Sequence, residues 1–141
     1  MLGILVVSHG NLAQEFVDVA SRILGEPGGG VTPVCIPWEL ESSAAKEKIR
    51  KALKKVQEES EGVLILTDLF GGTPTNLAMT LYQPGKVEIL TGMNLPMLIK
   101  AILTRKAGTP LAEAVALLRE KGQGAIVSVS EVMSPEGGEE G

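Results

Sequence analysis

Two side chains in this chain of 141 residues could do chemistry together: His9, the only histidine, and Asp68. Phosphoryl transfer through an imidazole needs one neutral ring nitrogen as nucleophile, with the other held protonated in a fixed tautomer. A carboxylate meets that need. It accepts the second N–H, orients the ring and stabilises the positive charge that grows as the nucleophilic nitrogen bonds phosphorus. Donors for the phosphoryl oxygens are at hand in the amides around Gly71, Gly72 and Thr73, the Thr73 hydroxyl, and the helix starts expected after Gly10 and Thr73. A helix terminus contributes only about 0.3–1 kcal/mol at an exposed site, which suits a relay that must release the group again. Each residue also has a plainer use. A histidine after a strand commonly caps or packs, an aspartate before glycines commonly forms a turn, and Thr73 before Pro74 is an N-cap whatever else it does.

For the pair to meet, both must sit on one rim of a sheet. Val63-Leu64-Ile65-Leu66 reads as a strand covered on both faces, with Asp68 at its carboxyl end. Leu2 to Val7 has the same plan and runs into Ser8-His9-Gly10-Asn11. Gly71-Gly72 removes Cβ atoms where the backbone must turn sharply or approach a ligand. The other elements follow from spacing. Leu12, Phe16, Val19, Ala20, Ile23 and Leu24 predict a helix stopped by Gly25. Val31 to Ile36 is a short strand closed by Pro37 and Trp38, and a helix from Ser42 or Ser43 buries Ala45, Ile49, Ala52, Leu53 and Val56. Its Lys46, Lys48, Arg50, Lys51, Lys54 and Lys55 are mixed with Glu47, Glu58 and Glu59, a solvated face rather than a basic patch. After Thr73 a helix turns Leu77, Ala78 and Leu81 inward, and Val87 to Thr91 forms a fourth strand leading to Gly92-Met93-Asn94. Pro96 opens a helix apolar nearly all round, which points to a subunit interface. Thr109-Pro110 starts another helix, closed by Lys121-Gly122, and Ala125 to Ser130 is predicted as a last strand.

This alternation gives the α/β class: a doubly wound, mainly parallel sheet of four strands with helices on both faces. Ligands bind such sheets at the strands' carboxyl ends, where His9, Asp68 and Gly92 to Asn94 all fall. Residues 1–132 are expected to be one domain and 133–141 a disordered acidic tail. Gly28-Gly29-Gly30 lacks the Gly-Lys-Ser/Thr of a phosphate loop and reads as a flexible connection.

Composition narrows the function classes. Apolar residues make up 44% with one Trp, one Tyr and two Phe, so the core is aliphatic. The net charge of −4 offers no broad basic surface to nucleic acid or anionic lipid. A lone cysteine, Cys35, fits a reducing compartment and a packing role. Neither a signal peptide nor a membrane span is recognisable, since the first apolar run breaks at Ser8 and Lys100 interrupts Leu95 to Leu103, so a cytoplasmic location is expected. One His and one Asp are too few for a metal site, and no cofactor is called for.

Ile4-Leu5-Val6-Val7-Ser8-His9-Gly10, Thr67-Asp68-Leu69-Phe70-Gly71-Gly72-Thr73-Pro74-Thr75-Asn76 and Gly92-Met93-Asn94-Leu95-Pro96-Met97-Leu98, in that order, resemble the enzyme IIA domain of the mannose-type sugar phosphotransferase system. The similarity runs to about Val129. It implies that His9 is phosphorylated by the phosphocarrier HPr and discharged to a IIB component, serving membrane IIC and IID components indirectly. It also implies that Asp68 orients the ring while Gly71, Gly72 and Thr73 contact the phosphoryl group. Ala125 to Val129 would be an antiparallel strand exchanged within a homodimer, and with no IIB segment after Gly141 the acceptor would be a separate protein. Family members often have Trp where Phe70 stands and Ser where Thr73 stands; each change keeps the apolar or hydroxyl character. Rivals are a phosphocarrier feeding dihydroxyacetone kinase, whose relatives lack Gly-Gly-Thr-Pro after the strand acid, and a regulatory binding module. A phosphohistidine hydrolase or mutase, or a tetrapyrrole chelatase, would need further histidines.

Overall fold

The computed structural model describes residues 1–26 and 29–135. Gly28 of the glycine run and most of the expected acidic tail, 136–141, lie outside the described residues. Strands β1 (Gly3–His9), β2 (Val31–Ile36), β3 (Val63–Thr67) and β4 (Val87–Leu90) form one sheet in the order β2-β1-β3-β4, every neighbouring pair parallel. Helices α1 (Leu12–Leu24), α2 (Ser42–Glu58), α3 (Gly72–Met79), α4 (Leu95–Lys106) and α5 (Leu111–Gly124) surround it.

Strand alternation divides the core in two. Ile4, Val6, Leu64 and Leu66 pack under α1, α4 and α5, while Leu5, Val7, Val63 and Ile65 pack under α2 and α3. All eight are at most 1% exposed, as a sheet covered on both faces requires. From β1 the chain crosses to β2 on one side, and from β3 it crosses to β4 on the other. The winding therefore reverses between β1 and β3, whose register sets Val7 opposite Thr67 and opens a crevice at their carboxyl ends.

The two sheet edges differ. Gly10 N–H donates to the Ile36 carbonyl, so in β2 the main-chain groups of Ile36 and alternate residues face β1, and those of Pro33 and Cys35 face outward. Pro33 has no N–H to present there, and the Cys35 carbonyl accepts from Lys48 Nζ. At the other edge, Val87 exchanges both main-chain bonds with Gln83, and Ile89 has the same outward orientation one pleat further on.

Three expectations need correction. Along α1 the side chains turned to the core are Ala13, Val17 and Ala20, whereas Leu12, Val19 and Ile23 are exposed. The helix lies close on the sheet, where small residues fit, and the larger ones flank that stripe. Gly122 does not end α5. It is buried against Met97, with a Cβ there only 2.6 Å from Met97 Cε, and its carbonyl accepts from Asn94 Nδ2, so the helix runs on to Gly124. In consequence the stretch from Ala125 does not reach a sheet edge and is not a strand: 126–128 have no regular structure and α6 (Val129–Met133) is a short helix. The apolar helix α4 is covered largely by its own chain, with Met97, Leu98, Ala101 and Ile102 buried and Leu103 exposed. The charged face of α2 is solvated as expected; Arg50 pairs with Glu47 and holds that carboxyl below its usual range.

Candidate functional site

His9 is the last residue of β1 and Asp68 the first after β3, so the central strand pair delivers both to one rim. His9 Nδ1 lies 2.8 Å from Asp68 Oδ2, and the same oxygen accepts the His9 main-chain N–H at 3.0 Å. Leu69 N–H donates to Asp68 Oδ1 at 3.1 Å. The carboxylate is thus bonded on both oxygens and only 6% exposed. In a neutral ring, a carboxylate acceptor at Nδ1 places the proton there and leaves Nε2 with its lone pair. The ring keeps 20% of its surface exposed, enough for a partner to reach.

Gly72 comes next to that free nitrogen. A Cβ at this position would stand 2.9 Å from both Cε1 and Nε2 of His9, and φ is +77°, so a side chain is excluded by contact and by backbone conformation alike. Gly71, with φ +99°, occupies the N-cap position of α3. Thr73 was expected to be that cap; the helix instead starts earlier, and Thr73 stands exposed in the first turn. The sharp bend through two left-handed glycines lets the chain enter the helix before a capping side chain is needed. The expected site residues His9, Asp68 and Gly72 are therefore together, while Gly71 and Thr73 flank them at the opening of α3.

Supporting residues also emerge that the sequence reading did not single out. Thr75 is buried, and its Oγ1 is 2.5 Å from the Leu69 carbonyl and 2.9 Å from Thr67 Oγ1, which ties the loop after Asp68 to its own strand. Ser8, fully buried, accepts the Ala13 N–H at 2.7 Å and so performs the capping that Asn11 does not. Trp38 lies beside the His9 ring, its centroid 5.1 Å away. A signal for Trp38 existed in the alignment of two strand ends: Ile36 pairs with His9, and Trp38 follows two residues later. A cleft of about 490 Å³ lined by His9, Gly10, Asn11, Leu12, Glu15, Trp38, Asp68 and Leu69 opens above the ring. Of its lining, Leu12, Leu69 and Trp38 expose apolar surface. Among the described residues, no group of three metal-ligating side chains is found and no helix is long and apolar enough to cross a membrane.

The arrangement can present one imidazole nitrogen to an incoming electrophile while holding the other. Comparison with known proteins agrees in kind. Residues 3–119 match the family EIIA-man, described as the PTS system fructose IIA component. The chain is 30% identical over 123 residues to the mannose-specific EIIAB component of the PTS system of Escherichia coli K12, which covers 86% of this chain and 38% of that protein. The chain thus spans well under half of that relative. It is also 30% identical over 107 residues to the fructose-specific EIIA component of Bacillus subtilis 168, covering 75% of this chain and 72% of that one. A solved structure, the PTS IIA protein associated with the fucose utilization operon of Streptococcus pneumoniae, superposes with a TM-score of 0.82 at 27% identity over 94% of this chain and 96% of that chain.

Proposed function

The chain belongs to the mannose/fructose-type IIA family of the sugar phosphotransferase system, and from that premise we propose that it is a phosphocarrier acting through His9. Phospho-HPr delivers the phosphoryl group, and a IIB component of the same system receives it for use by the membrane IIC and IID components. The observation that carries this reading is the 2.8 Å bond from His9 Nδ1 to Asp68, which leaves Nε2 as the nucleophile. As the N–P bond forms at Nε2 the ring becomes cationic, and Asp68 offsets that charge at the opposite nitrogen. Amides of Gly72 and Thr73, at the opening of α3, receive the phosphoryl oxygens, with the Thr73 hydroxyl beside them. Residues 1–132 act as one IIA domain in the cytoplasm, where HPr is met.

The test is the reconstituted relay. With phosphoenolpyruvate, enzyme I and HPr, the wild-type chain should acquire one acid-labile, base-stable phosphoryl group. The His9→Gln protein should fold and acquire none. Label on that variant at the wild-type level would refute the assignment.

This reading also makes the chain a homodimer. Ile126, Val127, Val129, Val132 and Met133 are each at least 58% exposed, an apolar segment that a single chain leaves in water. Phe70, Met79, Tyr82 and Ile89 line a notch along β4, the edge with an outward-facing pleat at Ile89. Exchange of 125–129 between two copies would bring each to the other. Sedimentation equilibrium should give twice the chain mass, and Val127→Lys should lower the association; a monomer at tens of micromolar would defeat the idea.

A further inference from the structure

The imidazole has a neighbour besides Asp68. Trp38, the only tryptophan in the chain, places its ring 5.1 Å from that of His9 in a tilted pair with 31° between planes, within the range at which aromatic rings interact. Its placement is built into the fold. Parallel pairing sets Ile36 opposite His9, Pro37 fixes the backbone angle that follows, and the indole comes to rest over the end of β1. Gly10, at φ +52°, is left without a Cβ; one there would stand 3.4 Å from Trp38 Nε1. Yet Trp38 is 76% exposed, so core packing does not account for a residue this large standing there.

We propose that Trp38 is a positioning residue whose indole face stabilises the cationic ring of phosphorylated His9. The inference rests on the reading of His9 as phosphoryl acceptor. In the transfer step the Nε2 lone pair forms the N–P bond, the bond from phosphorus to the donor breaks, and its electron pair leaves with the donor. The Nδ1 proton stays on His9 against Asp68, so the ring gains a positive charge that it lacked before. An aromatic face within about 6 Å of a cation attracts it, and indole does so best. Asp68 acts on that charge through the edge of the ring, and Trp38 through the π-face. Both therefore favour the loaded state over the empty one.

A charge-stabilising indole changes an equilibrium, whereas an indole that only helps HPr to dock changes the two rates alike. The experiment is to let phospho-HPr and the full-length chain exchange to equilibrium and to measure how label partitions, for wild type, Trp38→Phe and Trp38→Leu. Cation–π attraction at an exposed site is worth a factor of about two to five in an equilibrium constant. Trp38→Leu should shift the partition toward HPr by about that factor, and Trp38→Phe should fall between Leu and wild type. An unchanged partition with both rates slowed would overturn the proposal in favour of a docking contact. Equal shifts for Phe and Leu would overturn it as well, because the effect would then not be aromatic. If wild type takes up no label, the reading of His9 fails first, and the two failures are distinct.

Discussion

Replacing Gly72 by alanine should uncouple activity from stability, and a neighbouring residue supplies the control. A Cβ at Gly72 would stand 2.9 Å from Nε2 and Cε1 of His9, about half an ångström inside ordinary contact. The ring cannot simply swing away, because Asp68 holds Nδ1 at 2.8 Å and the ring is largely enclosed. The added methyl therefore crowds the Nε2 edge of the ring, the edge proposed to accept the phosphoryl group. Misplacement of a reacting group by about 1 Å can cost on the order of a hundredfold, and a shift of half that size is expected to slow phosphoryl acceptance about tenfold. The backbone cost of alanine at φ +77° is about 1–2 kcal/mol. Gly71→Ala makes the comparison sharp. At φ +99° and ψ 178° it lies where essentially only glycine is found, so alanine costs about 1–3 kcal/mol there. Its Cβ, however, would meet nothing within 4 Å. Urea unfolding should thus show both variants destabilised, Gly71→Ala by its backbone alone and Gly72→Ala by backbone and contact together, while quench-flow transfer from phospho-HPr should show the larger defect in Gly72→Ala. Wild-type transfer by Gly72→Ala would refute the claim that this backbone is fitted to Nε2.

Other expectations follow from the same geometry. Asp68→Asn keeps the shape and loses the charge; a charge-assisted bond is worth about 1.5–3 kcal/mol, so transfer should slow by about ten- to a hundredfold with the far-UV spectrum unchanged, and undiminished single-turnover rates would contradict the ring-orienting role. Thr75→Val removes the hydroxyl that joins Leu69 and Thr67, leaves buried groups unpaired and should cost about 1–3 kcal/mol of unfolding free energy by denaturant titration.

Much of this was legible in the chain itself. The apolar runs at Leu2 to Val7 and Val63 to Leu66 are β-strands by composition, and strands ending in His9 and Asp68 must bring those residues to one rim once the sheet is parallel. Polar residues folded into the interior were harder to read. Ser8 and Thr75 carry their roles through partners five and eight positions away, a distance set by how the loop bends and not by any repeating pattern. Thr73 was misjudged because the cap rule assumes a helix that waits for its hydroxyl, and two glycines at positive φ start this one sooner. The stretch after Gly124 shows the opposite limit. Its β-branched residues carry a strand preference, but a strand is a property of the ladder it joins, and α5 carries this one away from both edges of its own sheet.

The unequal edges of the sheet also bear on how far self-association can go. On the β2 side, a proline without a donor and a carbonyl capped by a lysine leave little for another chain to zip onto, whereas β4 still offers an outward pleat. Growth through strand addition therefore has one direction available per molecule. Two molecules that each laid a strand along the other's β4 would use that side up on both, so such a contact would be self-terminating, a twofold pair rather than a filament.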